Sequence, residues 1–461
     1  MTTTSVDVAA VEALAGQVRG EIVRPGDPSY EEARKVHNGM HDRRPALIVH
    51  AADVADVVAV VNFAREQGVD LAIRSGGHSA PGFGTVDDGV VLDLSRINDV
   101  RVDAEAKTAR VGGGATWGDL DHASHAYGLA TTGGIISTTG VAGLTLGGGI
   151  GHLARGCGLS LDNLLAADVV LADGSIVTAS EKSNTDLFWA IRGGGGNFGV
   201  VTSFEFRLHP VSMIFGGPIV WDLDDAEATM KFWREFIVDA PEQLGCFYGF
   251  HVAPPLPFLP EERHGTNVAL AVCCWTGDPD EGRKVIKPLM DVAKPIGEHV
   301  DVMPYPALNS AFDVLIPPGL QQYWKASFAD GFPDGAVAAH IEHGSKVPHV
   351  SSAVHLYPIN GASKRVGSDD TAFAYRDANF SPVVAGMWED PADNEANIAW
   401  VRAYHEAIRP HSLEGGYINF MNDDDQGRIK DNYKGNYERL VKVKRAYDPD
   451  NLFHLNQNIK P

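Results

Sequence analysis

Cysteine is scarce: Cys157, Cys246, Cys273 and Cys274 are the only four in 461 residues. Two of them are chain neighbours that could pair only with strain, so a disulfide framework is not expected. No C-x-x-C or H-E-x-x-H spacing occurs, and no protein-ligated metal is expected. Basic residues are outnumbered, Lys+Arg 38 against Asp+Glu 60, for a formal net charge of -22. Such a field repels phosphate backbones and anionic headgroups, which argues against nucleic acid or a membrane surface as partner. Uninterrupted apolar runs of transmembrane length are missing. The N-terminus MTTTSVDVAAVEALAGQVRG lacks a basic segment followed by a long apolar core. The expectation is an unsecreted, cytoplasmic protein.

What the chain has in quantity is glycine, 50 residues gathered in short runs. Runs of this kind mark places where backbone must approach something closely. The length suits two joined domains, each able to bury a core. From Leu47 to Ile73 the pattern reads strand, helix, strand: Val54, Val57, Val58 and Val61 recur at helical spacing and Gly68 stops the helix. VVLDL and TARV read as strands, and Thr116 with Asp119 forms a capping box for a helix running to Tyr127. AADVVLADG reads as a strand, DLFWAIR as a helix, and VVTSFEFRL as a strand. Beyond His209 and Pro210 glycines thin out. Val268, Leu270, Val272 and Cys274 alternate along one strand face, and Met230, Trp233 and Ile237 line a helix. A domain boundary is therefore expected near residue 210. The tail reads as a helix, a YDPDN turn and a closing strand LFHLNQNI.

Gly194, Gly196 and Gly199 fit G-x-G-x-x-G, but a dinucleotide fingerprint follows a strand and opens a helix. Here a helix precedes and a strand follows, so a Rossmann unit and a nicotinamide-dependent reductase are set aside. The clusters Gly76–Gly77, Gly112–Gly114 and Gly147–Gly151 sit at strand ends or turns, where successive N–H groups form anion-binding nests. Each alone reads as a tight turn; together they point to a cradled dinucleotide. His78 ends RSGGH at the mouth of a strand, among small residues.

Long motifs in a fixed order carry a family resemblance: IRSGGHSAPGFG, VVLDL, GGGIGHLARGCGLSLDNLLAADVVLADG, DLFWAIRGGGGNFGVVTSFEF and NYERLVKVKRAYDPDNLFHLNQNI. Over nearly its whole length the chain resembles the berberine-bridge-enzyme-like FAD-linked oxidases, which have the vanillyl-alcohol-oxidase (PCMH-type) FAD domain. The resemblance implies an α+β fold. A two-part FAD-binding domain would span 1–210 and 422–461, and an α/β substrate domain with an antiparallel sheet would span 211–421. It implies FAD wrapped by Arg74, Ser75, Gly76, Gly77, His78 and Ser79, with His78 joined to the flavin 8α-methyl carbon. Further cofactor contacts are implied at Thr138, Thr139, Gly140, Gly143, Gly147, Gly148, Gly149 and Gly151, and at Asn197, Val201, Asn456 and Asn458. Relatives often carry a second flavin link through a cysteine, but here that position is Ile136. A single covalent link is therefore expected, with Cys157 as a packing residue.

Two other departures bear on chemistry. Leu144 stands where relatives often have histidine, which leaves molecular oxygen or another electron acceptor open. Val383 stands where plant relatives carry a Glu or Gln. The reaction expected is hydride transfer from a small organic substrate (alcohol, sugar, amine or alkaloid-like) to covalently bound FAD. A flavin-holding protein with decayed catalytic groups is the alternative. Tyr417 and Asn419 in YINF would face one pocket if the segment is a strand. Tyr417 would then serve as proton acceptor, lowered by Arg376 or Lys430, or would instead pack and donate a hydrogen bond. Nothing in the sequence sets the oligomeric state.

Overall fold

A computed structural model describes residues 7–461. The helix Val54–Gln67 forms as expected: Asp53 caps its N-terminus by accepting from the Ala55 and Asp56 N–H groups, and Gly68 ends it at φ 63°. It crosses between strands of a four-stranded sheet. The strands are β1 (Glu21–Val23), β2 (Leu47–His50), β3 (Leu71–Arg74) and β4 (Val90–Asp93), in the order β1-β2-β4-β3. β2, β4 and β3 run parallel and are almost wholly apolar, as parallel strands covered on both faces must be.

A second, five-stranded antiparallel sheet follows. Its strands are β5 (Val100–Asp103), β6 (Thr108–Gly112), β7 (Leu164–Val170), β8 (Ile176–Ser180) and β9 (Val200–Arg207), ordered β5-β6-β9-β7-β8. The Thr116–Asp119 capping box opens a helix, Trp117–His125, that stops two residues short of Tyr127.

The third sheet is antiparallel and has eight strands. They are β10 (Met213–Trp221), β11 (Leu244–Val252), β12 (Asn267–Trp275), β13 (Gly297–Glu298), β14 (Asp301–Pro304), β15 (Gln321–Ala326), β16 (Ala353–Pro358) and β17 (Phe380–Trp388). Alternation divides each central strand between two cores. In β12, Val268, Leu270, Val272 and Cys274 face the glycine-rich region, while Ala269, Ala271 and Cys273 join the core on the other face, where the helix Pro279–Asp291 packs on β12 and the helix Asn394–Ile408 on β15 and β17.

After β17 the chain returns to its beginning. Leu440, Val441 and Val443 of the helix Tyr437–Tyr447, with Ile459, pack among β6 and β9, and Phe453 packs among β2 and β4. The expected closing strand LFHLNQNI is not formed. Side chains hold this segment instead of a ladder. Buried Lys444 Nζ donates to Asp448 (2.6 Å), to the Asn197 carbonyl (2.7 Å) and to the Phe453 carbonyl (2.9 Å). Asn197 donates to the Gln457 carbonyl and accepts from the Ile459 N–H.

Candidate functional site

β3 ends in Arg74, whose side chain turns inward. Its Nε donates to Asp93 at 2.7 Å, and its terminal nitrogens donate to the carbonyls of Ala33 and Lys35. Burial pushes the Asp93 carboxyl up, but hydrogen bonds from His50 and Ser95 and the Arg74 charge outweigh it and hold the group well below the usual range. Arg74 is thus an anchor that fixes where Ser75–Ser79 leaves the sheet. In that loop the backbone N–H groups of Gly76, Gly77, His78 and Ser79 have no acceptor among the described residues, and neither does the Ser75 hydroxyl. Gly76 packs on Gly140, where a Cβ on either residue would overlap the other's backbone.

The loop opens onto a cavity of about 330 Å³. His78 lines it, stacked on His37 with ring centroids 3.9 Å apart. Thr138 Oγ1 lies 3.1 Å from its Nε2 and Thr139 Oγ1 3.4 Å from its Nδ1. Burial, then the His37 neighbour, push the His78 imidazole down to about 3, so it is neutral at ordinary pH.

The expected cofactor residues divide into two sets. Arg74 to Ser79, Thr139, Gly140, Gly143, Val201 and Asn456 line the cavity. Thr138, Asn197, Asn458 and Gly147, Gly148, Gly149 and Gly151 do not. The glycines of this run meet protein: a Cβ at Gly147 would overlap Asn419, and one at Gly148 would come 2.7 Å from the Tyr417 ring. The run ends a short helix, Val141–Gly147, rather than a strand.

Tyr417 and Asn419 come together, though not as strand neighbours. Ile418–Phe420 is a single 3-10 turn, and Asn419 Nδ2 bridges the Tyr417 hydroxyl (2.8 Å) and the Leu144 carbonyl (2.9 Å). The Gly149 N–H also donates to the Tyr417 oxygen, at 2.7 Å. Burial pushes this phenol up to about 12 despite those two donors. Neither expected helper reaches it: Arg376 is paired with Asp162, and Lys430 with Glu438 on the surface.

The opposite wall is the eight-stranded sheet, which contributes Trp324, Ala353, His355, Tyr357, Val383, Ala385 and Met387. Val383 is the register partner of His355. His355 Nδ1 lies 2.7 Å from the Tyr357 hydroxyl, and its Nε2 lies 2.7 Å from His251 Nε2. His251, His355 and Tyr357, with His37, were not expected from the sequence, whereas Val383 was singled out there and does line the cavity. The available signal was the H-x-Y pair in AVHLYP, two polar residues on one face of an otherwise apolar strand.

Family models match residues 45–180 as an FAD binding domain and residues 416–460 as berberine and berberine like. An FAD-linked oxidoreductase of Bacillus subtilis (strain 168) is 31% identical over 458 residues, covering 96% of this chain and 98% of its own. The chain belongs to the berberine-bridge-enzyme-like FAD-linked oxidoreductases. Crystalline 6-hydroxy-D-nicotine oxidase from Arthrobacter nicotinovorans superposes on this FAD-linked oxidoreductase with a TM-score of 0.83, at 25% identity, covering 96% of this chain and 98% of that one. Physcomitrella patens BBE-like 1 shares the fold with a TM-score of 0.87, covering 98% of this chain and 99% of its own. The mixed α/β architecture with an antiparallel substrate-side sheet is that of the family. The residues present fit FAD. Four successive unpaired N–H groups suit a pyrophosphate, and a Cβ at Gly143 or Gly196, both in the cavity wall, would enter open space. Among the described residues no helix is long and apolar enough to cross a membrane.

Proposed function

We propose that this oxidoreductase holds FAD through one covalent bond, from His78 to the flavin 8α carbon, and oxidises a small organic molecule bound between the flavin and the eight-stranded sheet. The observation that carries this reading is His78 itself, a neutral imidazole on the cavity wall beside the unpaired N–H groups of Gly76–Ser79. A neutral ring nitrogen keeps the lone pair needed to attack an electrophilic carbon. No cysteine lines the cavity, and burial raises the Cys157 thiol to about 11, which supports a single link. Bound here, FAD supplies a two-electron acceptor for a hydride leaving a C–H bond.

The remaining roles belong to the chain. Ser75–Ser79 hold the pyrophosphate, while Thr139, Gly140, Gly143, Val201 and Asn456 shape the rest of the cofactor wall. Tyr417 orients the substrate rather than accepting its proton. Its oxygen already accepts two hydrogen bonds and no cation lowers its pKa, so its own O–H is free to donate into the cavity. We assign the FAD-binding domain to 1–210 with 422–461 and the substrate domain to 211–421, supported by the packing of the C-terminal helix among β6 and β9.

The test is acid denaturation of the purified holoprotein. Flavin absorbance should stay in the pellet for the wild type and pass to the supernatant for His78→Ala. Flavin free in the wild-type supernatant, retention in the variant, or a flavinylated Cys157 peptide would each overturn the single-link assignment.

A further inference from the structure

The sheet wall of the cavity has a composition that selects its ligand. Among the described residues lining the cavity there is no Asp, Glu or Lys, and the one arginine, Arg74, is committed to Asp93. A charged ligand would lie there unpaired, which is costly. A sugar would bury several hydroxyls against Val383, Ala385, Met387, Ile150 and Ile316, which offer no side-chain partner. The polar groups on this wall are few: His355, Tyr357 and Trp324, whose buried indole N–H has no partner.

His355 and Tyr357 are the cavity end of a chain. Tyr357 O–H, His355 Nδ1, His355 Nε2 and His251 Nε2 are linked by two contacts of 2.7 Å. Only one proton fits between the two Nε2 atoms, so the chain has two senses, and a proton entering at Tyr357 converts one into the other. Resting on the FAD reading above, we propose that Tyr357, His355 and His251 form a proton relay for the oxidation of an uncharged, largely apolar alcohol. The substrate O–H bond breaks and its proton goes to the Tyr357 oxygen. The Tyr357 proton moves to His355 Nδ1, and the His355 Nε2 proton moves to His251 Nε2. The carbinol C–H electron pair leaves as hydride to the flavin, and a carbonyl product remains.

The relay is set to work from neutral imidazoles. Burial pushes His251 down to about 4, and burial with His251 and His152 as neighbours holds His355 well below its ordinary value. The groups facing the chain are His152, on the turn after the glycine run, and Tyr417; no carboxylate or ammonium lines this cavity. An imidazolium formed there is disfavoured by the same burial, so as the product leaves the proton passes back through His355 and Tyr357 to water entering the cavity.

The experiment uses the flavin-loaded protein. First, 2-phenylpropan-2-ol, which has no carbinol hydrogen and cannot be oxidised, is titrated by its perturbation of the flavin spectrum beside cellobiose, benzoate and benzylammonium. The tertiary alcohol should bind at least tenfold tighter than the other three; tighter binding of a sugar or a charged ligand overturns the substrate class. Second, anaerobic flavin reduction by primary and secondary aryl and alkyl alcohols is followed against pH. Wild-type reduction should be flat through neutral pH and fall only as pH drops toward about 4, where His251 protonates.

Tyr357→Phe and His355→Gln should slow reduction roughly a hundredfold or more, with His355→Gln leaving binding of the tertiary alcohol within twofold. His251→Gln should shift the acid limb of the profile. Wild-type rates and pH profile in both Tyr357→Phe and His355→Gln overturn the relay, as does bleaching by sugars or amines but by no alcohol. If one variant loses its flavin, the other decides. A wild-type protein that purifies without flavin marks failure of the FAD reading, whereas a yellow protein whose variants all reduce normally marks failure of the relay alone.

Discussion

The glycine-rich region up to Arg207 and the eight-stranded sheet meet the same cavity with different chemistry. The first presents backbone: unpaired N–H groups at Gly76–Ser79, glycine contacts too close for a Cβ, and the stacked imidazoles of His37 and His78. The second presents side chains from β15, β16 and β17, apolar but for His355, Tyr357 and the Trp324 indole N–H. Backbone recognition suits a cofactor whose shape never changes, since the donors are fixed by the turn. Side-chain recognition suits a substrate, because one substitution alters the wall without disturbing the sheet.

The largest expected effect falls on the backbone side. His78→Ala should remove all acid-stable flavin while the fold persists, checked by the pellet absorbance and the circular dichroism spectrum. A variant that also unfolds would show that the link holds the two regions together and is more than an attachment for the cofactor.

Next comes the anchor beneath the loop. Arg74→Met takes the guanidinium away from the buried Asp93 carboxylate, and should cost about 3–5 kcal/mol, read as a lowered urea midpoint. Because the folded Asp93 pKa is depressed, the stability it contributes is present above the unfolded carboxyl value and lost as pH falls through the folded one. The acid sensitivity of the wild type should therefore be blunted in Asp93→Asn.

The seam between the regions carries a carboxyl of opposite behaviour. Asp121 lies in the helix Trp117–His125 and accepts a 2.7 Å hydrogen bond from Asn309; burial raises it to about 7 in spite of that bond. A folded pKa above the unfolded one means stability is full below the unfolded value and lost as pH rises toward the folded one. Asp121→Asn should therefore raise the melting temperature at pH 8 and leave it almost unchanged near pH 4, with a gain of roughly 1–3 kcal/mol at the alkaline end. Equal effects at both pH values would show that the carboxyl is not the strained partner.

The smallest effect is expected at Tyr417→Phe. Loss of an orienting hydrogen bond should slow flavin reduction about tenfold or less, with the pH profile unchanged. A slowing of a hundredfold or more with a new alkaline limb would make Tyr417 the proton acceptor after all.

Much of the glycine-rich region was legible residue by residue because its signals are local. Asp53 and Gly68 bound one helix, Thr116 and Asp119 open another, and GGGGNFG stands after a helix and before a strand, which excludes a Rossmann turn. The readings that failed depended on distant partners. LFHLNQNI alternates like a strand, but the groups around it are Lys444, Asp448 and Asn197 rather than an open sheet edge. YINF alternates too, yet the GGG run lies against Tyr417 and Asn419 and draws the segment into a 3-10 turn.

By itself, then, the sequence determined the order of the elements, the glycine loops and His78 as the singular residue of its loop, since caps, turns and periodicity act over a few neighbours. Only the tertiary structure decided that the Gly147–Gly151 run meets Tyr417, Asn419 and Ser160, that Arg376 belongs to Asp162, and that His251 and His355 touch across 104 residues of chain. Those contacts are set by sheet register and by the return of the C-terminus, and no local pattern encodes either.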